Sequence, residues 1–302
     1  MKVLITGGNG FIGGYVVNRC IANGHDPLVF DHMDRRHDDP RMAPAFMGDI
    51  RDATAVTEAM AHADAWIHLA AVLGTQETIK NPRPAAESNL MGGLNVLEAA
   101  AQYDCPGVYI GVGNHWMDNT YSISKTMIER FVRMFNKERG TRINVVRAMN
   151  AYGPRQEAAP PYGAAKVRKI TPAFICRALS GQPVEVYGDG HQVSDMVWVG
   201  DVAAALVLAM EKAADGVVFK QAVEVGPADH TTVNQVAETI IEMTGGASSI
   251  VNLPMRPGEI AGAKVTADTG TLALVGMDAS HLVPLSEGLP PTIAYFREQM
   301  AK

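Results

Sequence analysis

A chain of 302 residues is long enough for one large α/β domain or two modest ones, and 47 % hydrophobic against 19 % charged residues excludes a disordered chain. A formal net charge of -6 argues against nucleic acid or a membrane surface as a broad partner, while leaving room for a local basic cluster that takes a small anion. Three cysteines, Cys20, Cys105 and Cys176, stand in no metal or redox spacing; with no signal peptide and no apolar stretch long enough to span a bilayer, the expectation is a cytoplasmic protein with reduced thiols.

In chain order, Lys2–Thr6 reads as a buried strand and Phe11–Asn23 as the helix that follows. Pro27–Asp31 and Asp64–Ala71 are further apolar strands, and a long helical pattern covers about Ala85–Tyr103. Gly107–Val112 is a strand, Asn119–Arg139 a helix and Arg142–Ala148 a strand. Continuous apolar runs alternating with helical patterns predict a doubly wound parallel sheet, with strands covered on both faces. After Asn150 a loop rich in Pro, Gly and Ala opens a less regular region, with turns at Gly188–Gly190 and Arg256–Glu259. In that region Thr232-Val-Asn-Gln235 predicts a capping box at a helix start. No internal repeat and no low-complexity tract stands out.

Between the first strand and the first helix lies "TGGNGFIG", with Gly7, Gly10 and Gly13 at G-x-x-G-x-x-G spacing. Glycines there allow a tight turn and a close backbone approach to a pyrophosphate. The helix opening at Phe11 and Ile12 offers amides and a favourable dipole. Asp31 ends the second strand, where a carboxylate accepts from an adenosine ribose hydroxyl and repels a 2′-phosphate, which favours NAD. Arg35 and Arg36 follow closely and could instead hold that phosphate, so NADP is the second choice.

These marks resemble the extended short-chain dehydrogenase/reductase family, in particular the NAD-dependent nucleotide-sugar epimerases and dehydratases. The resemblance continues through "GDI" (Gly48–Ile50), "HLAA" (His68–Ala71), "YSISK" (Tyr121–Lys125), "RAMNAYGPRQ" (Arg147–Gln156), "VYGDG", "VGDVA" and "RPGE", in order over nearly the whole chain. It implies a Rossmann-type dinucleotide-binding domain over residues 1–150. Residues 151–302 would form a smaller, interleaved and mainly substrate-binding region. It also implies that Asp49 and Ile50 flank the adenine and that Leu69, Ala70 and Ala71 line the dinucleotide path. Asn89 would sit behind the site, or be an ordinary polar helix residue.

Tyr121 and Lys125 lie four apart, hence on one helical face. A free tyrosine, with a pKa near ~10, is a poor base at neutral pH. A nearby ammonium and a positive nicotinamide both favour the phenolate, which then takes a proton from a sugar hydroxyl. The resemblance also implies that Lys125 holds the nicotinamide ribose. The Ser or Thr that the family places at the end of the preceding strand is absent: that position falls on or beside Gly113. Asn114 and His115 are the candidates to replace it, and Thr120 is a weaker one because it shares no face with Tyr121. The alternative for Asn114–Met117 is a loop whose Trp116 and Met117 pack on the substrate region.

On the substrate side the resemblance assigns Arg256 to a nucleotide diphosphate, and Asn150 joins it as a substrate-binding candidate. Ser194 stands where a second family arginine is usual. Lys166, Arg168, Lys169 and Arg177 form a basic stretch that could compensate; we read Arg168 and Arg177 as solvated. No cluster has metal-ligand spacing. The Asp-Glu pair of the 4,6-dehydratases is missing at the matched positions, with Asp118 nearby. The expected function is therefore an NAD-dependent nucleotide-sugar epimerase, at carbon 4 through a 4-keto intermediate, acting as a homodimer. The alternatives are a dehydratase, a dehydrogenase or reductase of the same substrates, and a non-catalytic dinucleotide-binding protein.

Overall fold

The computed structural model describes residues 1–33, 46–163 and 167–301. Its centre is a seven-stranded parallel sheet. The strands are β1 (Lys2–Thr6), β2 (Asp26–Asp31), β3 (Phe46–Met47), β4 (Ala65–His68), β5 (Gly107–Val112), β6 (Ile143–Ala148) and β11 (Val223–Val225), in spatial order β11-β6-β5-β4-β1-β2-β3. The order reverses between β1 and β4, and a crevice opens there at the carboxyl ends of the strands.

Alternation along each strand divides the core. Val3 and Ile5 of β1, Ala65 and Ile67 of β4, and Val108 and Ile110 of β5 face α1 (Phe11–Ala22) and α8 (Val199–Ala214). Leu4, Trp66 and Tyr109 face the other way, with α2 (Ala53–Met60), α5 (Gly92–Gln102) and α6 (Thr120–Arg139). Both faces are covered, as the unbroken apolar runs required. Two short helices, α3 (Glu77–Lys80) and α4 (Pro82–Ala85), precede α5.

Beyond β6 the chain forms β7 (Asn150–Tyr152), α7 (Ile170–Leu179), β8 (Val184–Tyr187), β9 (Val193–Ser194) and β10 (Met196–Trp198). After α8 and β11 come α9 (Val233–Thr244), β12 (Ile250–Leu253), β13 (Lys264–Val265) and α10 (Leu285–Met300). A third apolar cluster, including Phe174, Val186, Ile240 and Phe296, joins α7, β8, α9 and α10. The later half is threaded through the earlier one: β11 pairs with β6, and α8 packs on α1, β5 and β6. The capping box forms, with Thr232 N donating to Gln235 Oε1 and Gln235 N to Thr232 Oγ1.

Most expected elements shift by a residue at their ends, and two boundaries and one element differ in kind. β4 stops at His68 rather than Ala71, because the amides of Leu69 and Ala70 turn onto Thr6. The helix expected from Ala85 starts as a π-turn over Ala86–Met91, where Asn89 reaches back to the chain after β4. Helix α2, capped by Asp52 onto the amides of Thr54 and Ala55, was not expected.

Candidate active site

The glycine loop sits at the reversal point of the sheet. Gly7 has φ +72°, and a Cβ on it would lie 2.8 Å from Ala70 N; a Cβ on Gly13 would lie 2.2 Å from the Gly7 carbonyl oxygen. Loop, α1 and the end of β4 therefore close on one another only without side chains. Gly10 is the N-cap of the 12-residue α1 and supplies no side-chain acceptor, so the first-turn amides at Phe11 and Ile12 suit an anion. Asp31 is buried at the end of β2, and its oxygens accept from the amides of Asn9 and Met33, each at 3.1 Å.

A cavity of about 1120 Å³ runs from this loop into the later half of the chain. One end is lined by Gly7, Gly10, Phe11, Ile12, Gly13 and Asp31, with Asp49, Ile50, Leu69, Ala70 and Ala71 beside them. Asp49 is held bidentate by Arg51, which lowers its pKa, and the Ile50 carbonyl accepts from Asn95. Asn89 proves to be a buried clamp. Its Oδ1 accepts from Val72 N at 2.7 Å, and its Nδ2 donates to the Val72 carbonyl and to Ser124 Oγ on α6. Arg35 and Arg36 lie outside the described residues, as does Lys166 on the substrate side.

Tyr121 and Lys125 reach the cavity from the first two turns of α6, whose N-cap Asn119 accepts from Ser122 N. Burial dominates the electrostatics of both. It pushes the Tyr121 phenol up to about 12 and pulls the Lys125 ammonium down to about 7, the latter against an upward pull from Glu129. The sequence predicts that the nearby ammonium favours the phenolate; in the structure desolvation sets Tyr121 and favours the phenol. Glu129 is buried one turn beyond Lys125 and paired with Arg147 of β6 at 2.6 Å, and Arg147 also meets Glu224 of β11 at 3.0 Å.

The short loop after β5 separates the two candidate stand-ins. Asn114 lines the cavity, and its amide Nδ2 donates to the thioether of Met117 at 3.5 Å. His115 is not on the cavity wall. Its Nε2 lies 3.5 Å from Arg147, its carbonyl accepts from Thr126, and its Nδ1 is buried without a partner among the described residues. Thr120 donates to the Thr78 carbonyl instead of entering the site. Met117 is buried against the cavity and Trp116 is exposed.

At the far end, Asn150 donates to Ser194 Oγ at 2.6 Å, and both line the cavity. Arg256 pairs with Glu259, to which Thr75 also donates, and lies over the Tyr187 ring at 5.0 Å. Arg168 and Arg177 both pair with Glu185. Lys169 lines the cavity with its ammonium pulled down by burial, partly offset by Glu77. Sequence reasoning passed over Glu129, Arg147 and Tyr109. The available signal was a glutamate continuing the Tyr121–Lys125 face of an otherwise apolar stripe.

Comparison with known proteins agrees with this architecture. Residues 3–226 match the model of the NAD dependent epimerase/dehydratase family. The crystal structure of a Thermotoga maritima UDP-glucose 4-epimerase with UDP-glucose is 30 % identical, with a TM-score of 0.85 and 99 % of each chain covered. That of the Thermus thermophilus UDP-glucose 4-epimerase with NAD is 29 % identical, with a TM-score of 0.83, covering 98 % of this chain and 99 % of that one. A UDP-N-acetyl-alpha-D-glucosaminuronate decarboxylase from Bacillus cytotoxicus is 27 % identical over 278 residues, 84 % of this chain and 83 % of the relative. No helix among the described residues is long and apolar enough to cross a membrane. With a glycine cradle that no side chain could enter, a buried Asp31 and a family match across most of its length, this chain belongs to the NAD dependent epimerase/dehydratase family.

Proposed function

We propose that the protein is a nucleotide-sugar epimerase acting at carbon 4 through a keto intermediate, with Tyr121 as its base and Asn114 as the donor in place of the missing hydroxyl. The observation that carries this reading is that Tyr121, Lys125 and Asn114 line one cavity with Arg256. Epimerisation by this route adds no acid or base beyond the group that moves the hydroxyl proton, and Tyr121 suffices for that.

The cradle fits NAD: Gly7, Gly10 and Gly13 leave room for backbone approach, the start of α1 suits a pyrophosphate, and Asp31 suits a ribose. NAD, when bound, accepts and returns a hydride. The protein's part is proton handling and placement. Tyr121 Oη takes the proton of the sugar hydroxyl, Asn114 Nδ2 donates to the same oxygen as its charge grows, and Lys125 holds its charge close to the phenol. Arg256 leaves Glu259 for the diphosphate, and Asn150 with Ser194 shapes the sugar end. On this reading residues 1–150 serve the dinucleotide and 151–302 mainly the sugar nucleotide, interleaved through α8 and β11. The same reading includes a homodimer, with α6 and the π-turn helix facing their copies, and a cytoplasmic location.

Incubation with a panel of nucleotide sugars, followed by NMR of the products and absorbance at the reduced-nicotinamide band, tests the proposal. Inversion at carbon 4 with no net reduced cofactor is the expected result. A product that has lost water or carbon dioxide would replace it with a lyase, and binding of NAD and nucleotide without turnover would favour a binding protein.

A further inference from the structure

The Lys125 side chain is 2 % exposed, yet its ammonium makes no ion pair or hydrogen bond among the described residues. What it does meet is an aromatic face: Nζ lies 4.2 Å from the ring centroid of Tyr109 on β5. Tyr109 is fully buried, and its hydroxyl donates to the carbonyl of Lys125 itself at 3.2 Å. One side chain thus meets Lys125 twice, by ring at the charge and by hydroxyl at the backbone. Next to that ring, His68 of β4 lies with centroids 5.7 Å apart, and its Nδ1 is 2.5 Å from Thr6 Oγ1 of β1. Three adjacent strands each give one residue to a column that ends under the ammonium.

We propose that Tyr109 is a positioning residue for Lys125, its ring carrying the ammonium and its hydroxyl fixing the turn of α6 from which the side chain leaves. A negative ring face attracts a cation more strongly where water is excluded. That attraction acts with Glu129 and against the burial that pulls Lys125 down to about 7. Of the other charged or titratable groups on the elements around Lys125, Arg130, Arg133, Lys137, Glu138 and Arg139 of its own helix are exposed. Tyr121 shares its helix and has its pKa raised by burial, and burial with the Lys125 charge holds His68 down to about 3, hence neutral. Arg147 is spent on Glu129 and Glu224, Glu87 of the π-turn faces Arg51, and Arg83 of α4 and Glu98 of α5 are exposed. Glu77 of α3 acts on Lys169.

The test is direct titration of Lys125 in protein labelled with 13C-lysine, its Cε signal assigned by loss in Lys125→Met. Tyr109→Phe keeps the ring and should titrate within a few tenths of wild type. Pentafluorophenylalanine at position 109 keeps the shape while removing the negative face, and should lower the midpoint by roughly half a unit to one unit or more. Tyr109→Leu should move it in the same direction. A role in packing alone predicts equal midpoints for phenylalanine and its fluorinated form, and that result would overturn the proposal. NAD affinity measured by calorimetry across pH adds the link to the function proposed above, on which this one arm rests. Affinity should fall as pH rises through the Lys125 midpoint and should follow that midpoint between variants. If the NMR midpoint moves and the NAD profile does not, Tyr109 keeps its role and the contact between Lys125 and the cofactor is rejected.

Discussion

Met149 Sδ occupies the place from which a side chain at residue 113 would start: a Cβ built on Gly113 falls 2.4 Å from it. A hydroxyl at residue 113 therefore requires the Met149 side chain to swing aside. Gly113→Ser should cost about 1–3 kcal/mol of stability through overpacking and should not raise turnover. Gly113→Ser combined with Met149→Ala relieves the clash. In thermal melts and rate measurements the double variant should exceed Gly113→Ser in both stability and turnover. A single variant as stable as wild type would mean that β5 and the chain after β6 part easily.

On the function proposed above, replacing Tyr121, Asn114 and His115 in turn separates their roles. Tyr121→Phe should abolish epimerisation while NAD still binds, since it removes the proton acceptor and little bulk. Asn114→Ala should lower turnover by roughly 10²–10³, the usual loss for one positioned donor. His115→Ala should leave the rate within a few fold and instead lower the melting temperature, because it removes the ring that faces Arg147. The reverse ranking of the two alanine variants would exchange their assignments.

How legible this site is in the sequence depends on which physical signal each part carries. β1 and β5 match residue for residue, because a strand buried on both faces is a continuous apolar run and turn residues bound both of these. The glycine loop and the capping box are legible because each is a local rule. Leu69-Ala70-Ala71 extended β4 wrongly, since an apolar wall of a cavity and an apolar strand look alike in one dimension. Asn89 was ambiguous because its three bonds go to the chain after β4 and to α6, partners no local pattern predicts. Asn114 and His115 are adjacent in sequence, and only the path of the loop decides that one lines the cavity while the other faces an arginine.

His68 makes stability sensitive to acid. Burial holds its folded-state pKa down to about 3, below the usual histidine value of ~6.5, so the unfolded chain binds a proton that the folded one refuses. Its contribution is complete above about pH 6.5 and is lost as pH falls toward 3, on the order of a few kcal/mol across that window. Denaturant melts of wild type and His68→Asn between pH 7 and 4 should show a smaller decline in the variant. Parallel declines would assign the acid sensitivity to other groups.

The outer face of α6 predicts self-association. Ile123, Met127 and Met134 are 48 %, 40 % and 40 % exposed, and Met91 at the end of the π-turn is 53 % exposed, while Ile128, Val132 and Phe135 are spent on the sheet. Light scattering should give twice the chain mass at working concentration, and Met127→Glu with Ile123→Glu should give the single mass. A wild-type monomer would reject the dimer.

Asn119 caps the helix that carries Tyr121, and its Nδ2 also points at the Gly258 carbonyl, 3.5 Å away, within the Arg256–Glu259 turn. Next to it, Thr120 holds the Thr78 carbonyl. The first turn of α6 thus serves as a post that holds two segments, α3 and the 255–260 turn, at one end of the cavity. Evolution or engineering that exchanges the 255–260 turn to admit another sugar also pulls on the post, so KM and kcat should drift together across such a series. On the function proposed above, changes in this turn and at residue 119 should therefore be coupled, so that selectivity and speed vary together.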